Sequence, residues 1–389
     1  MSTAVIRDRM MSTSPAQVEL FDLIRTERTQ LGPTKERFTR AFLSVQPPLL
    51  EVEAAIRRKF ESDAALLGTI SEYLHAQGGK RIRPALCLLA ASLFGKHLTE
   101  REHGTLDESA ELRRQVAFQQ TAFPRAALSQ QVIDVSAGIE LIHMATLLHD
   151  DIIDEAPKRR HETSAYRRFG LGPSLLAGDF LLVRAFGLCA HLDDFVVTET
   201  ERACVELTEG EILETKLSIT DHKNLEYYIT IVGKKTASLF TLATKVGSYL
   251  AGASDEDVKH LAEYGYNAGI AFQIVDDILD ITGDEELLGK PAGTDLRQHA
   301  PSLVNILWLQ SGDGHAGRFF SQAKPTADKI KQALVRLKNS PVIDECRTLA
   351  RKFAAKANAE LHAVSSPIVD AEVRGHLTAI LEYTLERCL

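Results

Sequence analysis

The sequence is short of the features that mark several large protein classes. Its 389 residues include five cysteines and one tryptophan, and aromatic side chains make up only 6%. Cys87, Cys189, Cys204, Cys346 and Cys388 are scattered, odd in number and form no CxxC pair. That pattern excludes a disulfide framework and a zinc-ligand spacing, and it fits reduced thiols in the cytoplasm. Positive charge is not in surplus either: 45 Lys and Arg against 53 Asp and Glu leave a formal charge of −8. No nucleic-acid partner is expected, because phosphate neutralisation needs a clustered cationic excess. No uninterrupted apolar run is long enough to cross a bilayer; the longest, Phe180 to Leu192, is broken by Arg184. The opening residues mix Arg7, Asp8 and Arg9 without an apolar stretch, and Cys388 is out of place for a prenylation box. Neither a secretory signal nor a stable membrane anchor is expected. A P-loop and a nucleophile elbow are also missing, which leaves ATPase and hydrolase readings without support.

What is present is an ordinary globular composition, 44% hydrophobic and 25% charged. From Pro48 onward apolar residues recur at helical spacing, as in Ala64 to His75, Ile82 to Phe94 and Val132 to Leu148. The breaks at Gly78-Gly79, Gly95, Pro157, Gly170 to Pro173, Gly252, Gly283 to Gly293, Gly312 to Gly317 and Pro341 predict about a dozen helices. The expected fold is therefore all-α, a single large helical domain over 36–389. Residues 1–35 are polar and weakly periodic, so a mobile arm or a short peripheral helix is expected there. A charged surface insertion carrying Glu100, Arg101, Glu102, Glu108, Glu111, Arg113 and Arg114 is expected near 96–130.

One repetition outweighs any boundary. Asp150-Asp151-Ile152-Ile153-Asp154 and Asp276-Asp277-Ile278-Leu279-Asp280 share a pattern, and each closes an apolar helical run. On a helix, residues four apart share a face about 6 Å apart along the axis, which pairs Asp150 with Asp154 and Asp276 with Asp280. Like charges grouped at a helix end destabilise the empty protein, and a hard cation with oxygen ligands compensates. Mg²⁺ is the natural cation. It takes few protein carboxylates and completes its shell with water and phosphate oxygens, so a diphosphate between the two pentads is implied. The plain alternative, a solvated acidic helix end, suits one pentad better than two.

Basic residues flank this centre: Gly78-Gly79-Lys80-Arg81-Ile82-Arg83-Pro84 before one helix, and Lys158-Arg159-Arg160 after the first pentad. Glycines let backbone amides approach an anion, and Arg forks phosphate in a bidentate way. Either cluster alone reads more simply as a solvated basic loop; beside the Asp pairs they read as two phosphate grips. Weaker candidates are Lys234-Lys235-Thr236, Phe272-Gln273 and Lys290. His143 lies two helical turns before Asp150, on the same stripe.

The strings GGKRIRPALCLLAASLFG, LIHMATLLHDDIIDEAPKRR, GKKTASLF and FQIVDDILDITGDEELLGKPAGTDLR resemble trans-isoprenyl diphosphate synthases, in that family's order, from about residue 64 to residue 310. The resemblance implies an isoprenoid-synthase bundle with a central substrate cavity, a homodimer and Mg²⁺ as cofactor. It implies that Lys80, Arg83, His143 and Arg160 hold isopentenyl diphosphate. Arg159, Lys235, Thr236, Gln273 and Lys290 would hold the allylic diphosphate, with Asp150, Asp151, Asp154, Asp276, Asp277 and Asp280 as the metal carboxylates. Asp150, Asp154, Asp276, Lys235 and Arg159 would carry catalysis. Two positions depart from the family: His161 follows Arg160 where Gly is usual, and Gln298-His299 follow Arg297 where Gly-Lys is usual. The second removes a phosphate-reaching lysine.

Product length follows from the cavity floor. Ala145 and Thr146 lie about 6 to 7.5 Å before Asp150 along the helix and are small. Family members that stop early resemble one another in bulky aromatics just upstream of the first pentad, and none occurs here between Ile139 and Leu148. A long all-trans product is therefore expected, a quinone side-chain or lipid-carrier precursor released with transient membrane contact. The rivals are a farnesyl or geranylgeranyl synthase, a non-catalytic subunit of a heteromeric prenyltransferase, and a terpene cyclase. Regulators of that kind commonly lose pentad aspartates, and cyclases generally replace the second pentad by an Asn/Asp-Ser/Thr-Glu motif; this chain has two full pentads.

Overall fold

The computed structural model of the chain describes residues 32–94, 128–160, 162–215, 224–283, 292–322 and 324–388. Most of the expected arm, most of the expected insertion, His161 and Lys290 lie outside them. Helix α1 (Pro33–Ser44) starts on a proline, whose missing N–H costs nothing in a first turn, and α2 (Gln46–Arg58) carries Pro47 at its second position. Next come α3 (Ala65–Ala76) and α4 (Ile82–Ser92), then α5 (Gln130–Ile153). Apolar on nearly every side, α5 is buried over most of its length. After it a two-residue hairpin pairs β1 (Lys158–Arg159) with β2 (Glu162–Thr163), Lys158 opposite Thr163.

The chain continues through α6 (Ala165–Phe169), α7 (Leu171–Cys189), α8 (Asp194–Thr215) and α9 (Leu225–Val232). A π-helical turn over Gly233–Ala237 leads into α10 (Ser238–Leu250), followed by the long α11 (Asp255–Thr282). The remaining helices are α12 (Thr294–Gln298), α13 (Leu303–Gln310), α14 (Gly314–Phe320), α15 (Ala327–Lys338), α16 (Pro341–Ala363) and α17 (Ala371–Glu386). Ser254, Asp313, Thr326 and Asp370 each accept a backbone N–H at a helix start, satisfying donors the helix itself leaves open.

Packing places the two pentads. Helix α5 packs on α2, α4, α7 and α10, while α11 packs on α10 and is backed by α16. Helix α10 therefore packs against both helices that carry the pentads. One core gathers around α2, α4, α5, α7 and α10; a second lies behind α11 against α13 to α16, and α11 contributes to both. The all-helical expectation holds. Gly170 alone breaks the chain where Gly170 to Pro173 were expected to.

Two helices, α5 and α7, are long and apolar enough to cross a membrane by length and composition, so judging by uninterrupted runs was too narrow. Helix α5 is a core helix. Helix α7 instead keeps Leu171, Leu175, Leu176 and Val183 exposed, and neighbouring α8 exposes Val197, Val205 and Ile212. All five cysteines are free thiols.

Candidate active site

The first pentad closes α5, where the helix dipole is negative and aggravates the carboxylates' repulsion. Asp150 and Asp154 share one face. Across from them α8 contributes Glu211 and Glu214, spaced to share a face as well. Lys235, in the π-helical turn, lies between: its Nζ is 2.7 Å from Glu211 Oε2 and closer still to Glu214. Burial pushes the Asp150 carboxyl up to about 7 against the pull of Lys235, and Glu211, Arg159 and Asp154 act on it too. Asp154 shifts the same way, again mainly by desolvation. Lys235 is raised despite its burial, because Glu214, Asp150 and Glu211 surround it. Four carboxylates around one ammonium leave surplus negative charge in a desolvated mouth.

The π-helical turn exists because its neighbours allow close approach. A Cβ on Gly210 of α8 would lie 2.6 Å from the Lys235 backbone nitrogen. Irregular turns of this kind expose side chains that a regular helix would hide. Thr236 donates its hydroxyl to Gln273 Oε1 at 2.9 Å, and Gln273 Nε2 donates to Asp277 at 3.0 Å, which ties the turn to the second pentad.

The basic side is built around the loop before α4. Arg160 donates to the Gly78 carbonyl in a very short contact, joining the hairpin to that loop. Lys80 is an exposed residue, with its ammonium 5.7 Å from the Tyr383 ring. Burial first, then Arg387, Arg160 and Lys35, push its ammonium down to about 8, with Asp276 opposing. Arg83, stacked 5.2 Å from the Phe240 ring, is lowered by burial, with Glu140 and Asp276 opposing. His143 is held well below its ordinary value by burial and then by Arg83, Arg160, Arg159 and Arg81. Groups that resist their own positive charge in this way mark a field that an anion would relieve.

Of the six carboxylates expected to hold metal, Asp150 and Asp154 face Lys235, and Asp276 lies with Arg387 and Lys80 on the basic side. The others are engaged elsewhere. Asp151 is 1% exposed and takes two 2.8 Å bonds from Arg159. Asp277 accepts from the Tyr228 hydroxyl at 2.8 Å, the Leu303 amide at 2.9 Å and Gln273, and burial raises its pKa. Asp280, paired with Asp276 by helical spacing, is also 1% exposed and accepts from the Asp295 amide at 3.1 Å. No group of three or more metal-ligating side chains converges among the described residues. Arg159 faces both Asp151 and the Asp150 field. On α5, His143, Thr146 and Asp150 lie along one half-buried stripe, whereas Ala145 is packed into the core.

Sequence reasoning missed Glu211, Glu214 and Arg387. The first two carry a legible signal, an i,i+3 carboxylate pair ending a helix. Arg387 carries none: it reaches the site because α17 folds back, placing its Nη2 3.1 Å from Asp276 Oδ1 and its guanidinium 5.4 Å from the Phe272 ring.

An acidic cluster around Lys235 and a basic cluster around Arg83 and His143 thus stand in one all-helical bundle. Residues 64–337 match the Polyprenyl synthetase family, and the chain belongs to that family. It is 36% identical over 263 residues to an octaprenyl diphosphate synthase of Escherichia coli, covering 67% of this chain and 72% of that one. It is 31% identical over 351 residues to a nonaprenyl diphosphate synthase of Mycobacterium tuberculosis, covering 90% and 93%. Among solved structures, a polyprenyl synthase from Caulobacter crescentus complexed with calcium and isoprenyl diphosphate superposes with a TM-score of 0.77 at 29% identity, over 90% of this chain and 98% of that one.

Proposed function

We propose that this chain joins isopentenyl diphosphate head-to-tail to an allylic diphosphate and builds a long all-trans polyprenyl diphosphate. The observation that carries the reading is the pairing of the two mouths: an acidic one around Lys235, Asp150 and Asp154, and a basic one around Lys80, Arg83, Arg160 and His143, with Asp276 on their border. The acidic donor set fits a divalent cation. Its oxygens are hard ligands, Lys235 balances only part of their charge, and too few converge to complete a shell without phosphate and water. Asp150, Asp154 and Asp276 would hold Mg²⁺, which when bound neutralises charge building on a departing diphosphate.

The chain's own residues do the rest. Lys235 and Arg159 grip the allylic diphosphate from opposite sides and stabilise it as the allylic C–O bond breaks and it leaves with the electron pair. Lys80, Arg83, Arg160 and His143, joined by Arg387, hold the second diphosphate so that its alkene faces the cation. The new C–C bond forms from the alkene electrons, and the proton then lost passes to the departed diphosphate. The packed walls of α4, α5 and α10 keep water from the cation.

Incubation of purified protein with Mg²⁺, labelled isopentenyl diphosphate and a farnesyl or geranylgeranyl primer, followed by sizing of the product, tests activity and length together. No elongation by the protein alone would favour a regulatory subunit, and a product stopping at geranylgeranyl would sink the long-chain half. Thr146→Phe, on the cavity stripe, is expected to shorten the product by one or more units; unchanged length would remove Thr146 from the floor. We place the enzyme in the cytoplasm, where free thiols persist, as a homodimer closed over the apolar face of α7 and α8.

A further inference from the structure

Behind the Gly78-Gly79-Lys80 loop lies a buried cluster that the reaction above leaves unused. Arg81 is 6% exposed, and its backbone is left-handed with φ 49°. Its guanidinium is buried among carboxylates. Arg81 Nε donates to Glu53 Oε1 at 2.5 Å and Nη1 to Glu140 Oε1 at 3.1 Å, while Nη2 lies 2.9 Å from His75 Nδ1. His75 Nε2 in turn lies 3.0 Å from Glu53 Oε2. Four side chains from α2, α3, the turn before α4, and α5 thus meet at one guanidinium.

Such a cluster is a poor way to gain stability, since an apolar filling does as well without desolvating charges. Its effect is geometric. A left-handed backbone at a residue with a Cβ persists only where the surroundings hold it, and each of the three Arg81 side-chain nitrogens has a partner in the network. The network also touches the phosphate side twice. A Cβ on Gly79 would lie 2.7 Å from Arg81 Nη1 and 3.1 Å from Arg160 Nη1, so two guanidinium groups close on that glycine. Glu140 acts on Arg83 as well as on Arg81, and it precedes His143 by one helical turn.

We infer that Arg81 is a positioning residue for the isopentenyl diphosphate half-site: with Glu53, Glu140 and His75 it fixes the left-handed turn that aims Lys80 and Arg83 at one anion. The inference rests on the proposed function. Glu140→Gln keeps shape and removes charge, and Arg81→Lys keeps charge and removes the fork. In both, KM for isopentenyl diphosphate and its calorimetric Kd measured without metal are expected to rise at least about tenfold. KM for the allylic diphosphate is expected to stay within about twofold. If both KM values rise together with a fall in thermal midpoint, the cluster is merely structural and the inference fails; unmoved KM values overturn it too. Should Arg81→Lys not fold, Glu140→Gln decides alone. Wild-type protein that fails to condense the two diphosphates sinks the parent reading, whereas active wild type with unmoved variants sinks only this inference.

Discussion

Adjacent aspartates in each pentad sit in different surroundings, and substitution separates their roles. Asp150→Asn removes a cavity carboxylate whose burial already disfavours its charge, so turnover is expected to fall at least about a hundredfold with the thermal midpoint unchanged or raised. Asp277→Ala instead strips the partner from the buried Tyr228 hydroxyl and Leu303 amide, at a cost of about 1–3 kcal/mol. Circular-dichroism melts beside turnover assays distinguish the two; equal loss of activity at equal stability would contradict the division. Helical spacing tells which aspartates share a face. It does not tell what the opposite face meets, so Asp151, Asp277 and Asp280 read as ligands until Arg159, Tyr228 and the Asp295 amide come into view.

Glu53 supplies a pH signature at the same scale. Burial alone would raise its pKa, but the His75 hydrogen bond and the Arg81 charge reverse that and hold it at about 2, against 4.5 for an ordinary glutamate. A depressed carboxylate contributes stability that is present above the unfolded pKa and lost as pH falls through the folded one. The contribution, on the order of 3 kcal/mol, should therefore be whole at pH 5 and vanish toward pH 2. The gap in thermal midpoint between wild type and Glu53→Gln is expected to narrow across that window. A gap constant with pH would show that Glu53 is not held ionised by its partners.

At the scale of elements, the helices were legible because apolar periodicity is a property of each segment alone. The π-helical turn was not. Gly233-Lys234-Lys235-Thr236 continues a helical pattern on both sides, and the extra residue per turn is imposed by α8, whose Gly210 leaves space for the Lys235 backbone. Arg387 was illegible for a related reason, since its place depends on how α17 returns across α4. Gly210→Ala is expected to displace the turn and with it Lys235 and Thr236. A shift approaching 1 Å in such groups lowers kcat/KM about a hundredfold, read most directly with the allylic substrate varied. Wild-type kinetics in this variant would mean that the turn tolerates displacement and that Lys235 positions itself.

For the whole molecule, the uneven coverage of apolar helices is the remaining clue. Helix α5 hides its apolar surface in the core, while α7 leaves Leu176 60% and Val183 69% exposed beside the exposed valines and isoleucine of α8. Scattered exposed leucines need no explanation, but two helices in contact that each expose several large apolar residues offer a surface of the sort that partners cover. A twofold contact apposes the same patch on both subunits, so each substitution enters the interface twice. Leu176→Glu with Val183→Glu would bury four carboxylates without partners there, yet in a monomer both positions face solvent and cost little. Sedimentation at micromolar concentration is expected to give a dimer for wild type and a monomer for the double variant, with the melting curve of the helical bundle retained. Monomeric wild type would leave the patch to some other surface, and a double variant that stays dimeric would move the interface away from α7.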